Sequence, residues 1–60
     1  MIEEVPLGNG KSVTLIFKGG LVTEFVVKAP RGKELRKLVP SPGIIREQAI
    51  QEAKFDAIHL

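Results

Sequence analysis

Val13, Leu15 and Phe17 alternate with Ser12, Thr14 and Lys18, and further on Leu21, Thr23, Phe25, Val27 and Ala29 alternate with Val22, Glu24, Val26 and Lys28. A period of two predicts strands. Gly19-Gly20 between the two runs supplies positive backbone angles at no steric cost, as a tight hairpin requires. A two-residue loop would place Glu24 among Val13, Leu15 and Phe17, and burying a carboxylate is costly. The expected register is therefore a three-residue loop with Gly20 in a bulge, so that odd-numbered residues of both strands share one apolar face. Upstream, Ile2 to Leu7 reads as a short first strand turning back through Gly8-Asn9-Gly10, and Pro6 confines it to a sheet edge.

After Ala29 the period changes. Pro30 suits the first turn of a helix and Pro40 limits it, with Leu35, Leu38 and Val39 at helical spacing between them, which predicts a short helix of about two turns. Ser41 offers an N-cap with Pro42 at the following position, and Ile44 to about His59 is rich in residues that helices accept. Pro40-Ser41-Pro42-Gly43 is a corner, too short to link domains. The expectation is a single small α+β domain over residues 1–60: an antiparallel β-hairpin or three-stranded meander, then a short helix and a longer C-terminal helix.

The last helix carries two apolar faces. At 100° per residue, Ile45, Ala49, Ile50, Ala53 and Ala57 cluster on one side, while Ile44, Phe55 and Ile58 fall nearly opposite. The small residues suit close packing on the hairpin. The second stripe, Ile44, Gln48, Gln51, Phe55 and Ile58, has alternating spacings of four and three, the seam of a helix pair. A chain of this size hides only about 60% of the surface its unfolded form exposes. A partly exposed face is the plain alternative, since single apolar residues on surfaces are ordinary, but both arguments favour self-association or a partner contact through the last helix, and a homo-oligomer is the expectation.

Composition narrows the chemistry. Hydrophobic residues are 43% and charged residues 27%, a globular balance. Without cysteine there is no disulfide or thiolate site, and one histidine builds no zinc site alone. No apolar run exceeds three residues, so no membrane span is expected, and Glu3 and Glu4 replace the basic, apolar start of a signal peptide; a soluble, cytoplasmic protein is the expectation. Five of the nine basic residues, Lys28, Arg31, Lys33, Arg36 and Lys37, fall in one stretch. If Pro30-Arg31-Gly32 turned into a short helix, cations and free amides would converge there as a possible anion-binding site. Glu34 dilutes that cluster, no aromatic residue stands near it to stack on a base, and a solvated helix face explains it equally.

The motifs that carry catalysis are absent or incomplete. Gly8-Asn9-Gly10-Lys11-Ser12 ends like a phosphate-binding loop, yet Val5 stands where the full motif needs glycine and Ser12 opens a strand, so a β-turn is the better reading. Asp56 and His59 are three apart on the last helix, but the available hydroxyls, Ser12 and Ser41, occupy turn or capping positions. Glu47 and Glu52 diverge on a helix. No catalytic residue, cofactor or metal site is expected, and the chain reads as a non-enzyme.

Val22-Thr23-Glu24-Phe25-Val26-Val27-Lys28-Ala29-Pro30-Arg31-Gly32-Lys33-Glu34-Leu35-Arg36-Lys37-Leu38 resembles the opening of tail assembly chaperones of long-tailed bacteriophages, an extended segment ending at a proline and followed by a charged, leucine-bearing helix. That resemblance implies a phage-type protein that keeps assembly partners in solution through apolar helical surfaces. Gly8, Val13-Thr14, Gly20, Ala29-Pro30 and Arg46-Glu47 fall in an order similar to that of the carbon storage regulators, dimeric RNA binders with strands first and a helix last. The leading expectation is a non-catalytic phage-type assembly or protein-interaction module, with Ile44, Gln48, Gln51, Phe55 and Ile58 as the contact. The alternative is a small nucleic-acid-binding regulator using the basic cluster; a protein partner is favoured over a nucleic acid.

Overall fold

Asn9-Gly10 and Gly19-Gly20 each close a two-residue turn. In the computed structural model, which describes residues 1–60, all four have positive φ, at 55°, 77°, 63° and 82° in chain order. That is the handedness that lets a two-residue turn follow the twist of its flanking strands. The turns join β1 (Ile2–Gly8), β2 (Lys11–Lys18) and β3 (Leu21–Lys28) in an antiparallel meander. The first strand is present, and Pro6 lies on an edge strand, where its missing N–H costs no ladder bond.

The loop between β2 and β3 is one residue shorter than the sequence predicts. Lys18 pairs with Leu21 directly across Gly19-Gly20, and the bulge lies further in, at Thr23, between the pairs Phe17 with Val22 and Ile16 with Glu24. This achieves what the predicted loop was meant to achieve by another route. Beyond the bulge Leu15 faces Phe25 and Val13 faces Val27, so the odd-numbered residues do share a face, and Glu24 is kept off it. Before the bulge the parity inverts: Val22 is fully buried and Leu21 is exposed.

The predicted short helix between Pro30 and Pro40 is instead a fourth strand, β4 (Glu34–Leu38), paired antiparallel with β3. A turn over Pro30-Arg31-Gly32 leads into this strand rather than into a helix. Ala29 accepts a hydrogen bond from the Gly32 N–H at 2.9 Å, its own N–H donates to the Lys33 carbonyl at 2.8 Å, and Gly32 has φ 85°. A further bulge follows, with Leu35 as the extra residue between the pairs Lys28 with Glu34 and Val27 with Arg36. The bulge brings Leu35 and Leu38, three apart, against the same core, so a spacing that reads as helical is that of a kinked strand. Pairing with β3 also satisfies an edge whose backbone groups would otherwise lack partners.

The N-cap of the helix is Ile45, without a side-chain cap hydrogen bond, and not Ser41. Ser41 and Pro42 lie in the corner before it. Ile44 then exchanges two backbone hydrogen bonds with Val22, at 2.7 and 3.0 Å, which pins the corner to β3. Only after that does α1 (Arg46–His59) begin. At its far end the Lys11 ammonium donates to the Ala57 carbonyl at 2.8 Å, filling one of the acceptors a helix terminus leaves open.

The helix lies across one face of the sheet, with Ala49 and Ala53 fully buried against Val13, Leu15, Val22, Phe25 and Val27. Thus an antiparallel four-stranded sheet followed by one C-terminal helix makes an α+β fold.

Gly43 sits where the corner meets β3: a Cβ there would lie 3.0 Å from both the Leu21 Cβ and the Val22 carbonyl oxygen. Gly43→Ala is expected to lower stability by about 1–3 kcal/mol, read as a lower urea midpoint at unchanged slope.

Candidate functional site

A strand sends successive side chains to opposite faces, so β4 disperses the basic cluster that a helix would have gathered. Arg36 points to the helix side, where its Nη1 donates to the Asp56 carboxylate at 3.0 Å. Lys37 pairs with Glu24 at 3.6 Å on the other side. Lys28, Arg31 and Lys33 enter no ion pair and remain at the end of the sheet. Lys28 lines a cleft of about 410 Å³ together with Lys11, Glu4, Ser12, Pro6 and the glycines of two turns, but Arg31, Lys33, Arg36 and Lys37 do not line it. The five predicted anion-binding residues therefore do not form one site.

Four of the five residues assigned to the helix seam lie on one exposed face. Gln48, Gln51, Phe55 and Ile58 are all exposed on the side of α1 away from the sheet, Phe55 at 62% and Ile58 at 78%. Ile44 does not join them. It precedes the helix, bridges to Val22 and packs against the core. Its place at the top of the outer face falls to Ile45, which the helical wheel assigns to the sheet side but which is 58% exposed. A shallow pocket of about 460 Å³ lies along the first two turns, lined by Ile45, Glu47, Gln48, Ile50 and Gln51. Lower on the helix the His59 ring stacks on Phe55 with centroids 4.2 Å apart, and its Nδ1 lies 2.9 Å from the Phe55 carbonyl oxygen. Phe55 is thus held as part of a two-ring plate.

Asp56 and Arg46 make polar contacts not anticipated from the sequence. Asp56 falls on the same side of the helix as Ala49 and Ala53, seven and three residues before it, and its side chain is only 9% exposed. Its position on the wheel was the available signal. Arg46 grips Glu3 through both carboxylate oxygens, Nε to Oε1 at 2.8 Å and Nη2 to Oε2 at 2.7 Å, tying the start of α1 to β1. This hydrogen bonding holds the Glu3 carboxyl below its ordinary value of 4.5, against a smaller opposing effect of desolvation. Nothing in the sequence marks a contact between residues so far apart.

The groups considered for catalysis are separated. Asp56 faces Arg36 while His59 is engaged by Phe55. Ser12 sits in β2 between Pro6 and Lys28, and Lys11, the cation of the phosphate-loop-like stretch, is spent on the helix terminus. No helix is long and apolar enough to cross a membrane. No protein-family model, curated protein or solved structure matches the chain.

Arg36→Ala leaves the Asp56 carboxylate without its cation and is expected to cost about 1–3 kcal/mol, whereas Lys37→Ala, at a more exposed pair, should stay within about 0.5 kcal/mol; urea unfolding separates the two. Because the folded state holds Glu3 below 4.5, its contribution is complete above that pH and is lost as pH falls through the depressed value. The stability difference between the wild type and Glu3→Gln should therefore be present at neutral pH and vanish in acid, and a carboxyl NMR titration should place Glu3 below the ordinary glutamate range.

Proposed function

We propose that this chain is a non-catalytic assembly or protein-interaction module that associates with itself through the outer face of α1. One observation carries the reading: the helix already spends its alanine face on the sheet, yet keeps Phe55 and Ile58 in water directly opposite. Burying each of these side chains is worth about 1.5–3 kcal/mol. A helix with no partner would be more stable in solution with polar residues there. The other exposed large apolar residues, Met1, Ile2, Leu21, Val39, Ile45 and Leu60, lie outside the Arg46–His59 span of the helix, Ile45 and Leu60 at its caps and the rest in the strands and loops.

The nucleic-acid reading loses support from the same geometry. Two of its five cations are committed to carboxylates, and the open face of the sheet carries Phe nowhere, since Phe17 and Phe25 both pack with the core. The part of the chain that resembles tail assembly chaperones forms β3 and β4 rather than a strand and a helix, so the proposal rests on the α1 face and not on that likeness.

Sedimentation of the wild type across a concentration series is expected to show reversible self-association, and Phe55→Glu should be monomeric with an unchanged circular dichroism spectrum. Unchanged association in that variant removes the helix face as the contact. Tight binding to a polyanion, falling steeply with salt, would instead favour the nucleic-acid regulator.

A further inference from the structure

The charges beside the exposed stripe specify how a second copy would sit on it. Along α1, Gln48, Gln51, Phe55 and Ile58 form the stripe, with Glu47 and Lys54 on one flank and Glu52 and His59 on the other. Neither Glu47 nor Lys54 takes part in an ion pair, and neither has an opposite charge three or four residues away on its own helix. The one cation adjacent to Glu47 in sequence, Arg46, is committed to Glu3.

Two orientations are open to a symmetric helix pair. In a parallel pair each flank meets the opposite flank of its mate, which sets Glu47 against Glu52 of the second copy, two like charges. In an antiparallel pair each flank meets its own counterpart. With the two-fold axis crossing between Gln48 and Gln51, Glu47 then comes beside Lys54 of the second copy, and by symmetry Lys54 beside Glu47. The same placement faces the glutamines of the two copies toward each other, where their amides can exchange hydrogen bonds and fix the register. It also lowers Phe55 of each copy onto the pocket lined by Ile45, Gln48 and Gln51 on the other.

Resting on the reading of α1 as the self-association face, we infer that the occupant is a second copy of this chain in antiparallel orientation, its register set by reciprocal Glu47 to Lys54 pairs. Helices of 14 residues are about 21 Å long, and a single pair of that length covers less than the ~1,200–2,000 Å² of a standard interface. The dimer is accordingly a weak and reversible one, and sensitive to single charges.

Charge reversal tests the orientation apart from the face. By sedimentation equilibrium at low salt, Glu47→Lys and Lys54→Glu should each weaken dimerisation by about tenfold, because each replaces two attractive contacts with two repulsive ones. The doubly reversed protein should return to within about threefold of the wild type. An equimolar mixture of the two single variants should form a heterodimer more tightly than either forms a homodimer. Single reversals without effect, or a double variant as weak as the singles, would overturn the antiparallel register; if Phe55→Glu still abolished association, the face itself would stand. A wild type that stays monomeric at every concentration would overturn both the register and the face.

Discussion

The seating of Ala49 and Ala53 on Val13, Leu15, Val22, Phe25 and Val27 is the contact on which the rest of this molecule depends. It is a thin core, and larger side chains on the inner face of α1 would lift the helix from the sheet. Because alanine is the residue that allows the approach, the rotation of α1 about its own axis is fixed. That rotation puts Phe55 and Ile58 outside, brings Arg46 within reach of Glu3, and aims Asp56 at Arg36. Every functional statement about the helix is a consequence of which side the alanines chose.

Two ion pairs hold that orientation at either end. Arg46 with Glu3 ties the first turn to β1, and Arg36 with Asp56 ties the last turns to β4. Both are lateral contacts at the margins of the sheet, where the core is too narrow to resist a roll of the helix. They also remove charge from circulation. Arg36 is one of the five cations that a helical segment would have gathered; on a strand, it serves the fold.

The strands and the last helix were legible because their periods are clean. Alternation marked β2 and β3, Gly-containing turns marked their ends, and a run of helix-compatible residues after the proline corner marked α1. What misled was the bulge. At Thr23 and again at Leu35 an inserted residue turns a spacing of two into one of three, so Val22 with Phe25, and Leu35 with Leu38, share a face at an interval that belongs to helices. The first insertion moved the irregularity from the turn into the strand, and the second converted an expected helix into β4. Neither bulge is written in the propensity of its own strand, because each is defined by the register against the strand it pairs with. Gln48, Gln51, Phe55 and Ile58 lie on the exposed side of α1 where the helical wheel puts them, whereas Ile44 leaves that stripe because the bridge to Val22 holds it before the first turn.

A view of this chain as a module that shares its apolar surface with a second copy makes one claim that solution data can localise. Amide and side-chain NMR shifts followed through a dilution series report the contact residue by residue. Changes confined to Gln48, Gln51, Phe55, Ile58 and their flanks, with the open face of the sheet silent, are what this account predicts. A spectrum independent of concentration, or changes centred on Lys28, Arg31 and Lys33, would contradict it.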